Sequence, residues 1–231
     1  MSRILITGAN RGLGLEFAQQ YLADGWEVIA ACRNPGAAQA LRRLADSATG
    51  SLTVIAMDVA DRGSVQRAAT SRQVAAIDFV INSAGVFGGN GQRLGSLDYR
   101  DWMQVLEANL LGPARVCEAF LERIGRSERR LIVTITSGMG SLSDNTSGGS
   151  VLYRTSKAAV NMLMRTAAID LQPQGISCVV LNPGWVKTDM GGPNAKISAA
   201  ESVGAMRRVI SRLGRKDSGR FYNYDGREYP W

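Results

Sequence analysis

The sequence predicts an α/β fold: a doubly wound parallel sheet of about seven strands with helices on both faces. Three observations carry that expectation. Short runs of Val, Ile and Leu alternate with longer stretches of helical periodicity, the first run ends in a glycine-rich turn, and polar turns close several others. Near-continuous apolar strands belong in a sheet buried on both faces. Right-handed crossovers between them then favour double winding.

Ile4-Leu5-Ile6 forms the first strand and ends at Thr7-Gly8, ahead of a helix from about Gly12 to Ala23. The Gly25 turn leads into a second strand, Trp26 to Ala31, and then an alanine- and arginine-rich helical stretch. Leu52 to Met57 is the third strand, followed by a helix opening near Asp61. Ile77 to Ile81, Leu131 to Ile135 and Ile176 to Leu181 supply three more, and a shorter one lies around Phe221 to Tyr224. Helical regions at about 98–124, 153–172 and 198–213 complete the pattern. No internal repeat, low-complexity tract or Pro/Ser linker divides residues 1–231, which read as a single domain.

A chain of 231 residues, 45% hydrophobic and 20% charged, can build one sizeable core. Lys+Arg outnumber Asp+Glu by 27 to 20, but the excess is spread along the sequence. It suits solubility first and attraction of a phosphorylated small molecule second. No concentrated basic patch or aromatic platform marks a nucleic-acid partner. The absence of histidine excludes a Ser-His-Asp triad, histidine metal ligation and imidazole acid–base chemistry within the chain. Cys32, Cys117 and Cys178 are isolated and odd in number, which argues against a disulfide framework and against structural zinc. They read as small buried hydrophobes in a reducing compartment. No apolar run is long enough for a membrane span, and the first strand follows Met1-Ser2-Arg3 with no room for a signal peptide. A cytoplasmic protein with no membrane partner is expected.

The first strand runs into Thr7-Gly8-Ala9-Asn10-Arg11-Gly12-Leu13-Gly14. This spacing is not GxGxxG, yet the same work is available: glycines allow close backbone approach, and the helix they open points free N–H groups at an anion. Ligands of open α/β sheets sit beyond the carboxyl ends of the strands. Polar turns follow other strands at that edge. Asp58-Val59 could hold an adenine edge, Asn82-Ser83-Ala84-Gly85 could pass beside a ribose, and Asn182-Pro183-Gly184 ends near the expected nicotinamide position. The second strand ends Cys32-Arg33-Asn34 without the carboxylate that would accept a ribose 2′-OH. Arg33, with Arg11, suits a 2′-phosphate instead, which points to NADP(H).

Tyr153 and Lys157 are four residues apart and share one helical face. A neighbouring ammonium and an oxidised nicotinamide both favour phenolate, so the tyrosine pKa should fall toward the working range. Ser137, just past the fifth strand, could donate to a substrate carbonyl oxygen. Asn109 sits between apolar neighbours in a helical segment, where a buried amide must be hydrogen-bonded. It reads either as a helix kink or satisfied core amide, or as the holder of a water in a proton relay to Lys157.

Taken in order, Thr7-Gly8-x-x-x-Gly12-x-Gly14, Asp58-Val59, Asn82-Ser83-Ala84-Gly85, Asn109, Ser137, Tyr153/Lys157, Pro183-Gly184 and Thr188 resemble the short-chain dehydrogenase/reductase family over nearly the whole chain. Asp144 to Gly149, Tyr153 to Lys157, Pro183 to Gly192 and the stretch Phe221 to Trp231 are most similar to sniffer-type carbonyl reductases and C-factor-like proteins. The resemblance implies a Rossmann-type domain and a tetrad of Asn109, Ser137, Tyr153 and Lys157. Tyr153 would be the acid in reduction and the base in oxidation, Lys157 would hold the nicotinamide ribose, Ser137 would polarise the carbonyl and Asn109 would anchor the relay water. Gly8, Asn10, Arg11, Gly12, Leu13, Gly14, Arg33, Asp58, Val59, Asn82, Ala84, Gly85, Pro183, Gly184, Val186 and Thr188 would line the cofactor, together with Tyr153 and Lys157. It also implies a homodimer or homotetramer through helices at 98–124 and 153–172.

The sequence departs from the family pattern in two places. Asn82-Ser83-Ala84-Gly85 replaces Asn-Asn-Ala-Gly, and Ser137 stands sixteen residues before Tyr153 rather than thirteen. Ser141 or Ser143 is therefore an alternative, although Thr136-Ser137-x-x-Gly140 fits better. The short stretch between Met190 and Ala199 suggests an open, tolerant pocket. The expected function is NADPH-dependent reduction of a ketone or aldehyde, or the reverse. The alternative is a C-factor-like signalling or regulatory protein that binds nucleotide with secondary or vestigial catalysis.

Overall fold

The computed structural model describes residues 2–47, 51–71, 77–90 and 92–231. Its strands are β1 (Arg3–Thr7), β2 (Glu27–Cys32), β3 (Leu52–Ala56), β4 (Phe79–Asn82), β5 (Leu131–Ile135), β6 (Ser177–Asn182) and β7 (Phe221–Asn223). The helices between them are α1 (Gly12–Ala23), α2 (Gln39–Ser47), α3 (Arg62–Thr70), α4 (Tyr99–Leu106), α5 (Gly112–Gly125), α6 (Val151–Asp170) and α7 (Ala199–Arg212). All seven strands pair in parallel in the order β3-β2-β1-β4-β5-β6-β7.

Alternation along each strand feeds two cores. Leu5, Ile29, Val80, Ile132 and Val180 face one layer, where Val116 and Phe120 of α5 and Val160 and Met164 of α6 cover them. Ile4, Ile6, Val28, Phe79, Ile81 and Val133 face the other, against Phe17 and Leu22 of α1 and Val203 and Met206 of α7. This is why the strands read as unbroken apolar runs: neither face meets water. The chain winds away from β1 in both directions, so the crevice between the β1 and β4 ends is the topological switch point.

One expectation needs refinement. The helical region 98–124 is interrupted by a π-helical turn, Glu107–Leu111, between α4 and α5. Gly112 packs so closely on Val59 that a Cβ there would lie 2.9 Å from Val59 Cγ2, and Pro113 has no N–H for the ladder. The Asn109 amide is meanwhile tied to the backbone of Val86. Such turns concentrate at functional sites.

Candidate active site

The turn after β1 is shaped by contacts that admit only glycine. Gly8 and Gly12 have φ of +66° and +54°, and a Cβ on Gly8 would stand 2.8 Å from Ala84 Cα. Thr7 Oγ1 accepts the N–H groups of Ser83 and Ala84, each at 3.0 Å, locking the β4 turn beside the β1 turn. Arg11 caps α1 without a side-chain hydrogen bond, so the first N–H groups of that helix keep their capacity for an anion. The segment after β6 crosses to this turn, bringing Thr188 Cγ2 within 3.6 Å of where a Gly12 Cβ would be. Arg11 pairs with Asp189 of that segment at 3.2 Å, both side chains being exposed.

The second cluster gathers at the ends of β4 and β5 and the start of α6. Tyr153 is 8% exposed and has the Ser137 side chain as a neighbour of its phenol. Lys157 Nζ lies 5.6 Å from the centroid of the Tyr153 ring and donates to the Ile135 carbonyl at 3.0 Å. Asn109, 1% exposed, accepts the Val86 N–H at 2.8 Å and donates to the Val86 carbonyl at 2.8 Å and to Ser156 Oγ at 2.9 Å. Ser156 in turn donates to the Tyr153 carbonyl at 2.8 Å. Gly85 lets these elements meet, for a Cβ there would lie 3.2 Å from Asn109 Oδ1 and 3.7 Å from Lys157 Nζ.

The family pattern of short chain dehydrogenases matches residues 2–198. The chain belongs to the short-chain dehydrogenase/reductase family. It is 48% identical to C-signal of Myxococcus xanthus over 155 residues, 67% of this chain and 93% of that protein. Among solved structures it resembles an NADPH-bound carbonyl reductase from chicken fatty liver, with TM-score 0.93, 35% identity and coverage of 100% and 99% of the two chains. The carbonyl reductase Sniffer of D. melanogaster superimposes with TM-score 0.92 at 32% identity, covering both chains fully.

In this short-chain dehydrogenase/reductase, burial dominates the titration of the pair. It pushes the Tyr153 phenol up to about 12, with the Ser137 hydrogen bond opposing, and pulls Lys157 down to about 8. The expected fall in the tyrosine pKa therefore does not hold for the protein by itself. Removing water destabilises the phenolate, and the same burial weakens the ammonium meant to support it. Of the three candidate serines, Ser137 is the one whose hydroxyl acts on the Tyr153 phenol, drawing its pKa down against burial. The Ser141 and Ser143 hydroxyls instead donate to the Trp231 carbonyl, at 3.0 and 3.1 Å.

Other expected positions divide by where their side chains point. Arg33, at the end of β2, is exposed, with no hydrogen bond or ion pair among the described residues. Asp58 Oδ1 accepts the Ala60 N–H at 3.0 Å in a local turn. Asn82 points inward, donating to Thr134 Oγ1 at 3.2 Å, so its side chain ties β4 to β5 rather than facing the crevice. Thr188 Oγ1 accepts the Gly191 N–H at 3.2 Å, while Val186 bridges to Ile197. The Pro183 carbonyl is held by Ser202 Oγ at 2.7 Å.

Three further residues shape the site. Gln92 Oε1 accepts the Tyr153 backbone N–H at 3.2 Å, and the Gln92 carbonyl accepts that of Val151 at 3.0 Å. The Phe87 ring packs on Tyr153 with centroids 4.8 Å apart. Asn182 Oδ1 accepts from Gly138 at 2.9 Å and from Gly184 at 3.3 Å, joining the Ser137 turn to the turn after β6. Asn182 had a signal in its Asn-Pro-Gly turn. Gln92 and Phe87 fall in the stretch of about 86–97 expected to line the pocket, but no periodicity reveals the path of that loop.

The crevice fits a dinucleotide. The uncapped α1 N-terminus offers donors to a diphosphate, the left-handed Gly8 and Gly12 clear its path, Arg11 stands in the glycine turn and Arg33 follows the β2 end. Among the described residues no group of three or more His, Cys, Asp or Glu could hold a metal ion, and no helix is long and apolar enough to cross a membrane.

Proposed function

We propose that the chain is an NADPH-dependent carbonyl reductase in which Tyr153 is the general acid, or the general base in the reverse oxidation. The observation carrying this reading is Tyr153 itself: buried beside Ser137 and the Lys157 ammonium, at the strand edge that also holds the glycine turn. The dinucleotide would be held by Gly8, Asn10, Arg11, Gly12, Leu13 and Gly14 on its phosphates, Arg33 on the 2′-phosphate, and Asp58 and Val59 at the adenine. The Asn82–Gly85 turn and Lys157 would flank the nicotinamide ribose, and Pro183, Gly184, Val186 and Thr188 the carboxamide. When bound, it supplies the hydride.

The chain's own residues then handle the oxygen. Ser137 donates to the carbonyl oxygen and orients it. Tyr153 passes its hydroxyl proton to that oxygen as charge develops there. A phenol raised to about 12 is fully protonated at neutral pH, the form a reduction needs, while the emerging alkoxide is basic enough to take the proton. Lys157, with a pKa of about 8, still carries its charge at pH 7 and stabilises the phenolate left behind. Asn109, held in the π-turn, anchors the water that returns a proton through Lys157. Phe87, packed on the Tyr153 ring, shields it from bulk water.

Tyr153→Phe should lower turnover of a reducible aldehyde or ketone by about 10²–10⁴-fold while leaving NADPH affinity within a few-fold. Turnover equal to the parent's would overturn the assignment. A homodimer or homotetramer is part of the same proposal: Met103 and Leu111 near α4 and Met162 and Ile169 on α6 are exposed apolar side chains. So is a cytoplasmic setting, in keeping with three unpaired thiols.

The likeness to C-signal favours a second reading, a nucleotide-binding signalling protein with secondary catalysis. Tight NADPH binding with no turnover across a panel of ketones, aldehydes and quinones would select it.

A further inference from the structure

A cavity of about 450 Å³ opens between Met139, the turn that starts α6 and Phe87, whose ring packs on that of Tyr153. Its lining holds two guanidinium groups, Arg93 and Arg154, and no carboxylate. They flank Gly149: a Cβ built there would lie 3.8 Å from Arg93 Cζ, while Arg154 Nε donates to the Gly149 carbonyl at 3.1 Å. Arg154 is fixed by further bonds to the Gly148 carbonyl at 3.2 Å and to Ser147 Oγ at 2.8 Å. Arg93 has no hydrogen bond or ion pair from its guanidinium among the described residues, and the Ser150 hydroxyl, also in the lining, has none either.

The backbone here is strained to present these groups. Gly148, Gly149 and Ser150 all have positive φ, of 62°, 65° and 46°, and for serine that conformation is unfavourable. The turn aims the positive end of α6 at the same space. Two forks, a hydroxyl and a helix N-terminus therefore converge with no internal counter-charge, beside the Phe87 ring that packs on Tyr153.

We propose that this cavity is an anion subsite, in which Arg93 and Arg154 take the carboxylate of a carbonyl-bearing acid whose carbonyl lies against Tyr153. The inference rests on the proposed carbonyl reduction and narrows its substrate to oxo acids. A guanidinium meets a carboxylate through two parallel hydrogen bonds, and Arg154, already oriented, loses little freedom on binding.

The test compares 4-carboxybenzaldehyde with methyl 4-formylbenzoate, two aldehydes that differ in the charge at the far end. The ratio of kcat/KM, acid over ester, should be about fivefold or more in the parent, and should shrink with added salt. In Arg93→Ala the ratio should fall to about one, and in Arg93→Glu below one. A parent ratio of one, or a ratio unmoved by either substitution, overturns the subsite while leaving carbonyl reduction intact. If neither aldehyde is reduced, that reading fails, and calorimetry with terephthalate decides the subsite alone. Binding by the parent that Arg93→Ala abolishes supports it; no binding by the parent, or equal binding by both, overturns it.

Discussion

The side-chain oxygen of Gln92 accepts the backbone N–H of Tyr153 at 3.2 Å, so one amide fixes where the first turn of α6 places the reactive phenol. The other end of that amide donates to the carbonyls of Phe87 and Gly89, each at 3.0 Å, tying the turn to the ring that packs on Tyr153. Gln92→Leu keeps the volume and removes all three bonds. It should lower kcat by roughly tenfold, with KM for NADPH nearly unchanged, and lower stability by about 1–3 kcal/mol in urea unfolding. A loss confined to stability would reduce Gln92 to a structural role.

Gly140 lies against the backbone of α6, where an added Cβ would be 2.8 Å from the Lys157 carbonyl carbon and 2.9 Å from Lys157 Cβ. Neither neighbour is a flexible side-chain end. Gly140→Ala should therefore cost about 1–3 kcal/mol and displace the ammonium, lowering turnover as well. Gly125, at the end of α5, has nothing within 4 Å of its position and makes the matching control. Gly125→Ala should be neutral or raise stability by up to ~1 kcal/mol. Thermal unfolding of the two variants reads the contrast directly.

Asp189 holds Arg11 in an exposed ion pair across the mouth of the glycine turn. If Arg11 serves the 2′-phosphate of NADPH, Asp189 competes with that phosphate for it. Asp189→Asn should tighten NADPH binding by a few-fold at low ionic strength and leave NADH binding unchanged. Arg33→Asp should do the reverse, weakening NADPH and favouring NADH through a new acceptor for the 2′-OH. Fluorescence titration with both nucleotides measures each shift. A parent protein that already prefers NADH would contradict the assignment of Arg33.

Lys157 also makes stability depend on pH. Its folded pKa of about 8 lies below the ordinary lysine value of 10.5, so the unfolded chain binds more protons between these values and stability rises with pH across that window. The gain is complete above the unfolded pKa and is lost as pH falls to the folded one. Lys157→Met should remove this slope, so the stability difference between parent and variant should move in the parent's favour from pH 8 to 10 by up to ~3 kcal/mol. Tyr153, raised to about 12, acts in the opposite direction but only above pH 10. Urea melts across this range check the sign.

The sheet, and the strand ends where the polar turns lie, were legible in the chain. Near-continuous apolar runs located all seven strands to within a residue or two, because a strand buried on both faces can hold little else. The glycine turn, Tyr153 and Lys157 were legible for a similar reason: each depends on local spacing, four residues on a helix or a strand end beside a helix start. Packing between distant segments supplied the rest. It set Ser137 beside Tyr153 and turned the Ser141 and Ser143 hydroxyls to a carbonyl ninety or so residues away in the chain. It broke the 98–124 helix at Asn109, where Val86 and Val59 press from other elements. It also raised the Tyr153 phenol by burial in the protein by itself and brought Arg93 beside Arg154. Burial and long-range contact depend on which loops meet across the sheet edge, and no spacing within a single segment encodes that meeting.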